Sequence, residues 1–201
     1  MNPGLQRRQW LGAALALSWP LAAQAAGQAE EALVDSVRSA LAAAIASAAP
    51  PKAVFGRIED RLDFLHWLAT MSERLKRVKS EPATRTEFLE TLWYESKRAG
   101  LEPAVVLGLI QVESGFRKYA ISVAGARGYM QVMPFWARLI GDGDPARLFH
   151  LQTNLRFGCV ILRHYLDIER GNLFLALGRY NGSRGQAAYP MAVMANRQRW
   201  V

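Results

Sequence analysis

Residues 102–134 read EPAVVLGLIQVESGFRKYAISVAGARGYMQVMP: an apolar run that ends on one acid and passes into a glycine-rich loop. Pro103 suits the first turn of a helix, and Gly115 suits a stop just past its end. Counting back from Glu113 by three, four and seven reaches Ile110, Leu109 and Val106, which share one helix face. The Glu113 carboxylate is therefore expected at the end of an apolar stripe, near the negative pole of the helix dipole. Both settings disfavour the ionised form and raise its pKa. A carboxylic acid protonated near neutral pH is what a general acid requires. On this helix alone, a Glu on a solvated helix end accounts for the pattern equally well.

The loop that follows gathers Ser122, Gly125, Gly128 and Gln131 within ten residues. Glycines permit tight turns and close approach of backbone to a ligand. Ser122 and Gln131 add neutral hydrogen-bonding groups beside the acid. The order Glu113-Ser114, then Ala120-x-Ser122-x-Ala124-Gly125-Ala126-x-Gly128-x-Met130-Gln131-x-Met133-Pro134, then Tyr180-Asn181-Gly182, resembles the catalytic core of the soluble lytic murein transglycosylases. The resemblance runs over residues 86–190. It implies an all-α, lysozyme-like domain of the goose-type lysozyme and SLT kind, here with an N-terminal helical extension. It also implies cleavage of the MurNAc-β-1,4-GlcNAc bond of peptidoglycan with 1,6-anhydroMurNAc ends, and no metal or other cofactor.

The same resemblance implies site roles. Glu113 serves as acid and then base, and Tyr180 hydrogen-bonds it. Ser122, Gln131, the backbone near Met133, and Asn181 line the sugar groove. Asn154 braces it; an N-cap at the head of the next helix is the equal alternative for Asn154. Two departures from the family pattern, Tyr129 for a Leu and Arg179 for an Ala, flank motif residues. A goose-type hydrolase using Glu113 with water, and a wall-binding module without turnover, are the rival functions.

Composition agrees with an envelope role. The chain has 201 residues, with 25 basic and 17 acidic side chains giving a net +8; Arg7 and Arg8 contribute two of those charges. A basic balance suits anionic polymers such as cell wall, nucleic acid or membrane surface. No nucleic-acid motif accompanies it. Residues 1–25 read as a secretory signal: Arg7-Arg8, an apolar run, then Ala23-Gln24-Ala25 as an A-x-A cleavage site. The apolar run is short and broken by Pro20, which favours removal over stable membrane insertion. A periplasmic product of Sec or twin-arginine export is expected, with peptidoglycan glycan strands as partner. The expected organisation is a signal at 1–25, an extension at 26–83 and a catalytic domain at 84–201.

Helices are expected over 30–49, carrying Leu33, Val37, Leu41 and Ile45, and over 57–79, with Ile58, Leu62, Leu65, Ala69 and Leu75 inward. Thr84-x-x-Glu87 fits a capping box opening a helix over 85–99. Further helices are expected over 135–140, 153–170, 173–179 with Asn172 as cap, and 189–200. The loop 141–145 carries Asp142 and Asp144, without the length or ligand pattern of a calcium loop. The single Cys159 reads as a small buried packing residue. His66, His150 and His164 lack metal-ligand spacing with one another.

Overall fold

The computed structural model describes Gln28, Leu33, residues 35–46 and residues 52–201. The expected signal lies outside these residues. Among them the fold is all-helical, with two isolated bridges, Ile121 to Arg127 and Arg127 to Val132, in place of strands. No helix among them is long and apolar enough to cross a membrane.

Helix α4, Pro103–Glu113, is the axis. Residues Pro103 through Ile110 are all buried, so this helix has neighbours on every side, and Ser114 caps it before Gly115 turns at φ +56°. Helix α8, Ala188–Arg197, crosses α4 at Gly108. A Cβ there would lie 2.7 Å from the Arg197 nitrogen and 2.9 Å from the Val193 oxygen, so only glycine lets the two backbones meet. Arg197 pairs with Glu102 at 2.6 Å, and the Trp200 indole donates to Gln111 at 2.9 Å, fixing α8 along α4.

Helix α3, Pro82–Arg98, begins earlier than the capping box suggested. Glu81, not Thr84, is the N-cap: its carboxylate accepts from the Ala83 and Thr84 amides, and Pro82 supplies the first helical position. Helix α2, Ile58–Leu75, buries Phe64, Met71 and Leu75. Of the stripe expected inward, Leu75 is buried, whereas Ile58, Leu62 and Leu65 are exposed. The helix is rotated because Phe64 meets Trp93 of α3 at 4.8 Å and Phe55 at 5.2 Å. Aromatic rings bury more area than the aliphatic stripe and so set the face.

Helix α6, Leu151–Ile168, and helix α7, Leu173–Asn181, pack together, and Asn172 caps α7 by accepting from the Leu175 amide at 3.1 Å. Cys159 is buried in the core, as expected, and burial pushes its thiol up. Helix α1, Asp35–Ala46, lies against α6 and α5, Pro134–Ile140, with Leu41 buried and Leu33, Val37 and Ile45 packed on the core. Its last carbonyls are held by two arginines: Arg98 donates to Ala44 and Arg156 to Ile45. Both arginines also contact Glu95, which is buried and pairs with Arg156 at 2.8 Å. Removing one partner of a buried pair strands the other charge. Glu95→Ala should therefore destabilise the fold by about 3–5 kcal/mol. Urea denaturation measures it, and a loss under about 1 kcal/mol would show that Arg156 finds water instead.

Candidate active site

Glu113 is the last residue of α4, half-buried at the end of the apolar stripe. Its apolar surroundings push its carboxyl up to about 7, against the opposing effect of a hydrogen bond from Tyr189. That bond is short: the Tyr189 hydroxyl donates to Glu113 Oε1 at 2.5 Å. Tyr189 sits in the first turn of α8, so the crossing at Gly108 is what carries its hydroxyl to the acid. Burial, then the Glu113 charge, holds the Tyr189 phenol well above its ordinary pKa, so it stays a donor.

Tyr180, expected to bond Glu113, does not. It is buried in α7 and donates to the Met130 carbonyl at 2.8 Å. It still lies close enough for the Glu113 charge to raise its phenol, after burial. The acid's direct partner is thus a tyrosine nine residues further on, and Tyr180 instead fixes the loop facing it. Sequence reading missed Tyr189 because nothing local marks it.

The loop 120–133 is a compact scaffold. Ser122 accepts from the Ala126 amide through its Oγ at 3.0 Å, and its carbonyl takes the Gly125 amide at 2.9 Å, closing a turn. The Gln131 amide nitrogen donates to Ala120 and Gly128 carbonyls at 3.1 and 2.8 Å. Its committed side chain leaves only the carbonyl oxygen for a ligand. Ser114 Oγ donates to the Tyr129 carbonyl at 2.7 Å and to Ile110, tying the loop to the end of α4.

Asn154 is the loop's anchor. It lies inside α6, not at its cap, and its exposure is 0%. Its Oδ1 accepts from the Met130 amide at 2.8 Å, and its Nδ2 donates to Arg127 and Leu148 carbonyls at 2.9 and 2.7 Å. A residue so enclosed and so fully bonded has no free group for a sugar; it braces the loop from within α6, and His150, not Asn154, is the N-cap. Gly128, at φ +76°, is required for this: a Cβ would fall 2.4 Å from Asn154 Nδ2. Asn181, buried at the end of α7, accepts from Ser183 Oγ at 3.0 Å. Met133 is the N-cap of α5 and is half-buried.

Of the two departures from the motif pattern, one packs in the core and the other forms an ion pair. Tyr129 is buried on Phe88 and accepts from Lys79 Nζ at 2.8 Å; burial raises its phenol to about 12. Arg179 pairs with Glu169 at the end of α6, as does Arg184 at 2.6 Å, and the two hold that carboxyl down at about 2. Asp142 and Asp144 are engaged elsewhere. Asp142 pairs with Arg147, and Asp144 caps the 3-10 helix Pro145–Phe149 through the Ala146 amide at 2.9 Å. No cluster of three His, Cys, Asp or Glu able to hold a metal occurs among the described residues.

A family profile described as "Transglycosylase SLT domain" matches residues 91–199, more than half of the chain. "Membrane-bound lytic murein transglycosylase C" of Actinobacillus pleuropneumoniae is 34% identical over 99 residues, covering 46% of this chain and 24% of the relative. "Transglycosylase" of Enterobacteria phage PRD1 is 32% identical over 117 residues, covering 55% of this chain and 43% of the relative. The X-ray structure of an inactive mutant of lytic transglycosylase Slt from Pseudomonas aeruginosa aligns at 23% identity with a TM-score of 0.45, covering 70% of this chain and 27% of that one. The chain spans about a quarter of the length of the first of these relatives. Glu113, Tyr189, Tyr180 and the loop anchored by Asn154 all fall inside the matched segment, and by that match the chain belongs to the transglycosylase SLT domain family.

Proposed function

We propose that the chain is a peptidoglycan lytic transglycosylase of the periplasm, with Glu113 as its single acid and base. The observation that carries this is the Glu113 carboxyl at about 7, gripped by Tyr189 and facing a loop fixed by Asn154 and Tyr180. Since Oε1 accepts the Tyr189 hydrogen, the acidic proton is assigned to Oε2. Oε2 protonates the glycosidic oxygen between N-acetylmuramic acid and N-acetylglucosamine. As positive charge grows at the muramic anomeric carbon, the ionised Glu113 is held by the Tyr189 hydrogen bond. It then takes the proton of that sugar's C6 hydroxyl, which attacks the anomeric carbon and closes a 1,6-anhydro ring.

Most glycosidases use two carboxylates. An intramolecular nucleophile gains from effective molarity, so no second carboxylate is needed to activate water. That fits Asp142 and Asp144 being engaged in a turn and a cap. A pKa near neutral serves both halves of the cycle, because one group must give and then take a proton. Ser122, Gln131, Met133 and Asn181 are proposed to border the groove, with the signal at 1–25 removed on export.

Mass spectrometry of a digest of intact sacculi tests the reaction. The expected ends are anhydromuramic, about 18 Da (one water) lighter than hydrolytic ends, because an internal hydroxyl replaces water as nucleophile. Reducing ends would keep Glu113 and make the protein a hydrolase of goose-type lysozyme character. No product at all would favour a wall-binding module.

A further inference from the structure

Lys79 lies in the turn between α2 and α3, ahead of the matched family segment, and its side chain reaches the loop beside the acid. Its Nζ donates to the Tyr129 hydroxyl at 2.8 Å, and it sits 4.6 Å from the centroid of that ring and 4.8 Å from that of Phe88. Its backbone is fixed as well. The buried Arg85 guanidinium donates to the Lys79 carbonyl at 2.6 Å, to the Ser80 carbonyl at 3.1 Å and to Ser72 Oγ at 2.8 Å. A lysine ordinarily lays its stem on the protein and keeps its ammonium in water. Here burial, then the nearby Lys118 charge, lowers the Lys79 pKa, so the cation is held in place against its own desolvation. Two aromatic faces and one hydroxyl oxygen receive it.

Tyr129 is thereby held at both ends. Its hydroxyl accepts from Lys79, and its carbonyl accepts at 2.7 Å from Oγ of Ser114, the residue after Glu113. The next residue, Met130, is bonded through its amide to Asn154 and through its carbonyl to Tyr180. Gln131 follows in the left-handed region at φ +49°. A non-glycine residue keeps that conformation only where its surroundings over-determine it. Tyr129 also stands where the motif pattern has a leucine, a side chain with no oxygen for an ammonium. Tyrosine at this position is what gives Lys79 a partner on the loop.

We propose that Lys79 is a positioning residue for substrate binding: its ammonium, clamped on Tyr129, holds residues 128–132 of the loop in the form that borders the groove. This rests on the reading of that loop as one wall of a glycan groove. Lys79 acts through Tyr129 and touches no substrate itself. A loop that spends part of its time elsewhere binds its ligand more weakly by the fraction of time it is in place. Glu113 and Tyr189 belong to α4 and α8, so their proton transfer does not depend on the clamp. The segment ahead of the family match would then be a working part of the site.

The test compares the full chain with Lys79→Met, Tyr129→Phe and the double variant, using soluble glycan strands for kinetics and hydrogen exchange for the loop. Met keeps an unbranched stem without the ammonium, and Phe keeps the ring without the hydroxyl. In Lys79→Met, KM should rise about three- to tenfold, the weight of one hydrogen bond on the loop equilibrium, with kcat and the alkaline limb unchanged. Tyr129→Phe should raise KM as well. The double variant should rise by less than the product of the two, because both remove one contact. Exchange of the Met130 and Val132 amides should quicken in each variant without glycan. Unchanged KM in both single variants overturns the proposal and makes Lys79 a structural support, even where the melting temperature falls, and so do rises that multiply in the double variant. A wild-type chain inactive on glycan strands and on sacculi would overturn the enzymatic function instead. Exchange at Met130 and Val132 then decides the clamp by itself: quicker in Lys79→Met supports it, and unchanged overturns it.

Discussion

Glu113→Gln should lower turnover of peptidoglycan by about 10²–10⁴, the range for losing general acid–base catalysis, while the domain stays folded. The amide keeps the shape of the acid, and its carbonyl can still accept the Tyr189 hydrogen, so the α8–α4 contact survives. Only the transferable proton is gone. The variant should in fact gain stability at neutral and higher pH. In the native chain the carboxyl is raised to about 7, above its ordinary value of 4.5. The folded state therefore binds the proton more tightly than the unfolded state does. Below about pH 4.5 both states are protonated and folding carries no penalty from this group. Between 4.5 and 7 the unfolded chain ionises first, so stability drains as pH rises, and above 7 the full penalty stays. Gln has no such penalty, so thermal melts at pH 8 should show the variant more stable by up to about 3 kcal/mol, the upper bound of a shift of this size. Wild-type kcat/KM should correspondingly fall as pH rises through about 7, where the free enzyme loses its acid. A fully active Glu113→Gln chain would remove this residue from the reaction.

Much of the site was legible because its signals are local. The α4 run opens on Pro103, closes at Gly115 and keeps one apolar face, so the helix, the place of Glu113 at its end and the upward shift of its pKa follow from neighbours within two turns. The caps at Asn172 and the turn at 141–145 are local in the same sense. What was not legible depends on partners distant in sequence. Tyr189 meets Glu113 across 76 positions, and its arrival depends on a missing Cβ at Gly108 that reads on paper as a mild flaw in a helix. Asn154 reaches Met130 across 24 positions, and nothing in its own helix distinguishes that role from a cap. In α2 two stripes compete, one aliphatic and one aromatic. Trp93 on another helix, together with Phe55, decides between them. Pro82 is the exception: a first-turn proline after Glu81 was a local signal, and the Thr84-x-x-Glu87 pattern three residues on outweighed it.

The contrast between the two tyrosines gives the other large effect. Tyr189→Phe should cut turnover by roughly ten- to a thousandfold, the scale at which positioning a catalytic acid matters. It loses only a hydroxyl, and that hydroxyl is the one bonded to Glu113. The bond holds the carboxyl lower than burial alone would. Its removal should therefore push the Glu113 carboxyl further up and move the alkaline fall of kcat/KM to higher pH. Tyr180→Phe removes a hydroxyl bonded to the Met130 carbonyl instead. Its effect should reach the acid only through a loosened loop, with a smaller rate loss, a rise in KM and an alkaline limb that stays in place. A merely structural Tyr189 would give the same pattern as Tyr180, a stability loss of about 1 kcal/mol with no displaced pH limb. If instead Tyr180→Phe shifts the limb and Tyr189→Phe does not, the Glu113 proton is controlled from α7 and not from α8, and the assignment of Oε2 as the proton-bearing oxygen falls with it.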